Sequence, residues 1–407
     1  MANIPKIRFK GFTGEWKQRK LGELVANLST GKSVNSDDGS IHDGEIGILK
    51  TSCVSYDKFD PTENKRVIQN EVELVKCPVK KDCIIVSRMN TPERVGACGY
   101  IAENHDNLFL PDRLWQLKFQ NNTSSYFIYT MLISPDYKNQ IRSMASGTSG
   151  SMYNIPKERF LDLQVRISPN MDEQIAIGQY FEHLDNHITL YQRKLDSLQK
   201  FKKAMLQKMF PKAGSSQPEI RFKGFTGAWE QRKVGDCFLE RNERSSCGEL
   251  ISVTINSGIK KFSDLNRKDN SSENKSNYKK VEIGDIAYNS MRMWQGASGY
   301  SPYSGILSPA YTVLIPEKGI NSKFFSYMFK CIRLINTFQV MSQGLTSDTW
   351  NLKYPELSKI NVLVPALNEQ QKIGAYFENL DTLITLYQRK LDSLQKFKKA
   401  MLQKMFA

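Results

Sequence analysis

The chain has 407 residues, 40% hydrophobic and 11% aromatic, enough for two to four domains with cores of their own. Its formal net charge of +15 favours a polyanionic partner, most often nucleic acid. No run of 18 apolar residues occurs, the opening MANIPKIRFKGF lacks a signal-peptide core, and the seven cysteines never fall as CxxC; these features argue against a membrane span, a secreted disulfide scaffold and a thiolate metal site, and for free thiols in the cytoplasm.

Residues 5–23 read PKIRFKGFTGEWKQRKLGE and return at 218–236 as PEIRFKGFTGAWEQRKVGD, 14 of 19 identical. Gly11 and Gly14, set among Phe9, Phe12 and Trp16, mark a turn-rich docking segment rather than a catalytic loop. A first globule follows, with strands expected at 46–50, 83–87 and 114–119 and a helix at 124–144. A Ser/Gly loop, 146–151, leads through Tyr153 and Asn154 to a strand near 161–167. From 172 to 210 a long helix is expected. Leu184, Ile188, Tyr191, Leu195 and Leu198 recur at four-three-four-three spacing, and Phe201, Met205 and Met209 extend the stripe. At 1.5 Å per residue it would span roughly 55–60 Å.

After the linker PKAGSSQ (211–217) the opening segment returns and a second globule begins. Its strands are expected at 250–255, 286–290, 311–315 and 360–364, its helix at 322–341 and its matching loop at 342–350. The long helix then recurs: 173–210 and 369–406 agree at 32 of 38 positions. One helix cannot bury such a seam alone, and its own copy is the obvious partner. The expected fold class is α+β: two α/β domains, 1–168 and 212–365, separated by two long antiparallel coiled-coil helices, 169–211 and 366–407, in a pseudo-two-fold internal repeat. The globules have diverged where the scaffold has not, and the first is longer by 17 residues. That contrast implies a shared partner for the scaffold and a different task for each globule.

Catalytic motifs are weak. His183 and His187 have the i, i+4 spacing of a metal pair, but the repeat places Asn379 and Leu383 there and no third ligand is evident. Gly31-Lys32-Ser33 resembles a P-loop end, but Ala26 stands where the loop needs glycine. Asp112, Asp136 and Lys138 can be set into a PD…DxK nuclease pattern, yet the second element follows Pro135 at a helix. No catalytic residue, metal or cofactor is expected in the chain.

Nucleic-acid contact has better candidates. Ser87, Arg88, Asn90 and Thr91 leave a strand and enter a loop, and Asn289, Arg292, Trp294 and Gln295 do likewise in the second globule. Arginine can pair with guanine through two hydrogen bonds, and asparagine or glutamine with adenine. Ser146, Thr148, Ser149, Ser151 and Tyr153, with Ser342, Thr346, Ser347 and Trp350, offer hydroxyls, backbone N–H groups and one aromatic per loop for phosphate positioning. Lys260 and Lys261 would add charge toward a DNA backbone. Each of these segments could equally be an ordinary loop; their paired occurrence is the signal. The rival reading is a coiled-coil assembly scaffold whose basic charge is incidental, and a third is a nuclease acting alone through Asp112 and Asp136.

The doubled PxxRFxGFxGxW opening, the Glu173-Gln174 and Glu369-Gln370 pairs, the shared ending FKKAMLQKMF and the segments DCIIVSRMN and GDIAYNSMRMW together resemble the specificity subunit of type I restriction-modification systems. The resemblance covers essentially the whole chain. It implies two target-recognition domains, each reading half of a split sequence in double-stranded DNA, held apart by two antiparallel spacer helices. It further implies two modification subunits that use S-adenosylmethionine to methylate adenine N6, and restriction subunits that cleave with ATP and Mg2+. The specificity subunit itself would be non-catalytic.

Overall fold

The computed structural model describes residues 4–42, 44–55, 58–147, 152–255, 257–265, 268–269, 271–347 and 349–406. The chain forms two compact units: residues up to Tyr191 together with those from Lys390 onward, and Gln192–Arg389. The division falls inside both long helices, Met171–Lys208 and Leu367–Phe406, so each unit holds one globule and portions of both helices. The boundaries expected from sequence separate globule from helix. The units join them, because helix and globule residues share one core.

In the first unit an antiparallel sheet runs in the order Cys98–Ile101, Cys83–Ser87, Leu114–Phe119, Val25–Thr30. Its central strand Cys83–Ser87 is buried at every residue. Successive side chains of a strand point to opposite faces. Ile84 and Val86 thus enter the core shared with the helices, while Cys83 and Ile85 enter a second core beside a five-stranded mixed sheet. The second unit repeats the order as Ser298–Tyr300, Ile286–Asn289, Tyr311–Pro316, Phe238–Glu240. Ile286 and Tyr288 again face the helix-side core and Ala287 the other. In place of the five-stranded sheet stand two two-stranded ladders, Ile251–Thr254 with Gly258–Lys261 and Lys279–Val281 with Gly305–Leu307.

Two expected helices are broken. Residues 124–144 form Ser125–Leu132 and Pro135–Ser143; Pro135 holds Ser134 extended (ψ 152°) and starts the second piece at its first turn. Residues 322–341 form Ser322–Met328 and Ile332–Met341, with Cys331 extended between them (φ −68°, ψ 138°). The strand expected from 161 begins later, as Gln164–Ile167, because Leu161 ends the short helix Lys157–Leu161.

The repeated opening segment is a clamp onto the long helix. Lys17–Lys20 pairs antiparallel with Gln164–Ile167, and Glu230–Lys233 with Asn361–Val364. Arg8 grips Glu173 with two hydrogen bonds (2.5 and 2.8 Å) and donates to the Gly14 carbonyl (2.6 Å). Arg221 does the same to Glu369 (2.7 and 2.7 Å) and Gly227 (2.6 Å). Trp16 adds an indole hydrogen bond to Glu173 (3.2 Å), whereas the buried Trp229 indole has no partner among the described residues.

Within each unit the two helix portions run antiparallel. In the first, Phe181 meets Phe406 (6.3 Å between ring centroids) and Asp185 meets Lys398 (2.6 Å). In the second, Phe377 meets Phe210 (6.0 Å), Asp381 meets Lys202, and Lys194 lies over the Tyr387 ring. The Phe–Phe and Asp–Lys contacts are thus made in both units by repeat-related residues. Leu184 and Leu195 are buried as their spacing predicts, but Phe201 is exposed: Lys202 takes the inward place, its stem covered and its ammonium bonded to Asp381. All seven cysteines are free. Among the described residues no helix is long and apolar enough to cross a membrane.

Candidate nucleic-acid interface

Each globule brings its two candidate loops together by backbone pairing. In the first, Met89–Asn90 pairs antiparallel with Tyr153–Asn154, Ile155 N–H donates to the Arg88 carbonyl (2.9 Å), and Ser146 and Asn154 exchange both backbone bonds (3.0 and 2.9 Å). In the second, Leu352 N–H donates to the Ser290 carbonyl (2.8 Å), and Gln343 and Asn351 exchange both bonds (3.0 and 2.8 Å). The Trp294 and Trp350 rings meet edge to face at 5.2 Å. In both halves the Arg-bearing segment thus leaves the central strand and is held against the base of the Ser/Gly loop.

The side chains differ sharply between halves. Ser87 is fully buried and Asn90 is 7% exposed. The Asn90 amide donates to Ser87 Oγ (3.0 Å), and its carbonyl oxygen accepts from Thr91 N–H (2.9 Å). Ser87 and Asn90, expected at the DNA, are therefore spent on shaping the turn. Arg88 is half-buried, donating from Nε to the Asp112 carbonyl (2.7 Å) and from Nη1 to Asn154 Oδ1 (3.2 Å). It ties three loop segments together, so its guanidinium is not free to take a base edge through both faces. Thr91 and Ser146 are exposed, and Tyr153 packs partly against the core. Thr148, Ser149 and Ser151 lie outside the described residues.

In the second globule Asn289 Oδ1 accepts from Met291 N–H (3.0 Å), which bends the chain at the strand end. Arg292 follows, exposed, with no side-chain partner among the described residues. Trp294 is half-buried and donates from its indole to the Met291 carbonyl (3.1 Å), and Gln295 is half-buried beside it. Thr346 and Ser347 are exposed, Trp350 is half-buried, and Ser342 Oγ donates back to the Phe338 carbonyl (2.7 Å), closing its helix. Lys261 pairs with Glu249 (2.7 Å) and stands over the Tyr303 ring. In this structure its ammonium is thus paired with a carboxylate of its own globule, at a partly exposed position. Lys260 lines a cleft of about 400 Å³ with Lys323 and Lys330, facing Glu378 and Asp381. Burial and the Lys202 charge push the Lys330 ammonium down to about 8, against the pull of Asp381.

Two exposed apolar side chains near these loops went unremarked in the sequence: Met291, 41% exposed, and Leu345, fully exposed. For Leu345 the signal was there, an isolated leucine in the polar run SQGLTSDT. Among the described residues no cluster of three His, Cys, Asp or Glu side chains is placed to hold an ion. Asp112 accepts from Ser33, and Asp136 sits in the first turn of Pro135–Ser143.

The profile of the type I restriction modification DNA specificity domain matches residues 13–200 and again 227–396. The chain is 21% identical over 411 residues to the putative type I restriction enzyme MjaX specificity subunit of Methanocaldococcus jannaschii, covering 98% of this chain and 94% of that one. It is 24% identical over 159 residues to the type I restriction enzyme EcoEI specificity subunit of Escherichia coli, a match of 38% of this chain and only 26% of the relative. Its fold is shared with the crystal structure of the type I restriction-modification system S subunit from M. genitalium, at 17% identity, 99% coverage of both chains and a TM-score of 0.64. With the profile matching twice across most of its length, the chain belongs to the type I restriction modification DNA specificity domain family and carries that domain in both halves.

Proposed function

We propose that the chain is the DNA sequence-reading subunit of a type I restriction-modification complex, each globule reading one half of a bipartite target. The observation that supports this best is the repetition of one specificity domain on a near-identical scaffold with unlike loops: the exposed Arg292, without a side-chain partner among the described residues, stands where the other half has the buried Asn90, and Ser290 stands where the other half has the tied-down Arg88. Two readers of different chemistry suit two different half-sites. The net charge of +15 supplies salt-dependent affinity for the DNA backbone.

The chain acts without catalysis of its own, and chemistry is left to partners: two modification subunits holding S-adenosylmethionine, and restriction subunits using ATP and Mg2+. The scaffold offers an equivalent apolar surface in each half. Leu190 and Phe397 are exposed in the first unit (47% and 48%), and their repeat counterparts Leu386 and Phe201 in the second (60% and 46%). Identical partners would bury identical pairs. An incidental scaffold has no need of a duplicated specificity domain.

A methylome of cells with and without the gene tests the reading. A bipartite adenine-methylation motif that vanishes with the gene is expected; an unchanged methylome would sink it. Arg292→Ala should cost about 1–3 kcal/mol of discrimination at one base pair of one half-site and spare the other. Equal loss at both halves, measured by sequencing methylated sites, would assign Arg292 to general affinity.

A further inference from the structure

We infer that Leu345 makes apolar contact with a thymine methyl group in the half-site read by the second globule; the inference rests on the DNA-reading function proposed above. Leu345 is fully exposed, and before Trp350 it is the only apolar side chain of its loop. The loop is built to present it. Gln343 and Asn351 close the base by exchanging both backbone bonds. Thr346 N–H donates to Thr349 Oγ1 (3.1 Å), Thr349 Oγ1 donates to the Thr346 carbonyl (2.9 Å), and Trp350 N–H donates to that carbonyl (3.1 Å).

Gly344 takes φ +141°, and a Cβ there would come within 2.7 Å of the Thr349 carbonyl oxygen. Only glycine allows the turn from which Leu345 projects. The Trp294–Trp350 contact and the Leu352–Ser290 bond lock this loop to the segment bearing Arg292. A leucine held out into water on a loop closed at its base by backbone bonds, on the same platform as an arginine without a side-chain partner among the described residues, needs an apolar target among polar ones. At base edges in the major groove the thymine 5-methyl is that target. The first half carries Thr148 at the corresponding place in the sequence, so the contact belongs to one half-site only.

The test measures binding of the complex, this chain with its modification partners, to duplexes carrying the mapped target. Each thymine of the half-site assigned by Arg292→Ala is replaced in turn by deoxyuridine. The wild type should lose about fourfold in affinity at one thymine, the contribution of one buried methyl group. Leu345→Ala should bind the thymine and uracil duplexes alike, and Leu345→Met should restore the difference. A wild type indifferent to every uracil, a half-site of G·C pairs alone, or an undiminished uracil penalty in Leu345→Ala would overturn the inference and leave DNA reading standing. Loss of all sequence-selective binding by the wild type would instead overturn the proposed function itself.

Discussion

Glu369→Ala should destabilise the second unit by about 3–5 kcal/mol, the cost of stranding a buried charge. Glu369 is 1% exposed as a side chain and accepts both arms of Arg221, which is 15% exposed and, among the described residues, has only the Gly227 carbonyl besides. Removing the carboxylate leaves a desolvated guanidinium with nothing to neutralise it. Replacing both partners, as Arg221→Met with Glu369→Leu, should recover most of the loss, since breaking a buried pair costs far more than exchanging it for apolar packing. Denaturant unfolding of the single and double variants measures this; a double variant as damaged as Glu369→Ala would mean the segment docks through its backbone and aromatics alone.

The corresponding carboxylate of the first unit adds a pH dependence. Burial works to raise the Glu173 carboxyl, but hydrogen bonds from Arg8, Ser168 and Trp16 outweigh it and hold the group below the usual carboxylate range. A depressed carboxylate stabilises the fold fully above its unfolded value of about 4.3 and loses that contribution as pH falls through the folded value. An acid titration of unfolding should therefore be flatter below pH about 4 in Glu173→Gln than in the wild type.

Phe406→Ala should cost about 3–5 kcal/mol and weaken the part of the molecule that holds the opposite end of the chain. Phe406 is 7% exposed and packs on Trp16 (6.0 Å), Phe127 (5.5 Å) and Phe181 (6.3 Å), all in the first unit. Phe210 plays the same part in the second unit, against Trp229, Phe324 and Phe377. Hydrogen exchange should show Phe406→Ala losing protection in residues up to Tyr191 and keeping it in Gln192–Arg389; Phe210→Ala should reverse the pattern. Loss confined to the helix ends would show that the aromatic clusters are dispensable to the globules.

Much of this architecture was legible because it is periodic or repeated. Cys83–Ser87 and Leu114–Phe119 have the bounds read from their β-branched and aromatic enrichment, which suits strands buried at the middle of a sheet, although Gln116 and Lys118 interrupt the second. The break after Met328 left no trace, as no proline or glycine marks it and packing decides it. The site was legible only as a pair of loops. Met89–Asn90 and Tyr153–Asn154 are two-residue strands, too short for any periodicity. Whether an arginine is braced or left open depends on the carbonyls around it and on its register: Arg88 stands where the second half has Ser290 and is tied to the Asp112 carbonyl, whereas Arg292 comes two residues later, at the place of Asn90, and is exposed.

The clamp has one more consequence. In the second unit the seven residues 211–217 carry the chain from Phe210 into the segment that bears Arg221 and Trp229. In the first, Phe406 and Pro5 line one small cavity with Trp16, with no covalent bond between them. Folding thus treats the peptide link in one half and the gap in the other as interchangeable. A gene reopened within 211–217 and sealed from 406 to 5 by the same seven residues would encode a permuted polypeptide with the same set of native contacts.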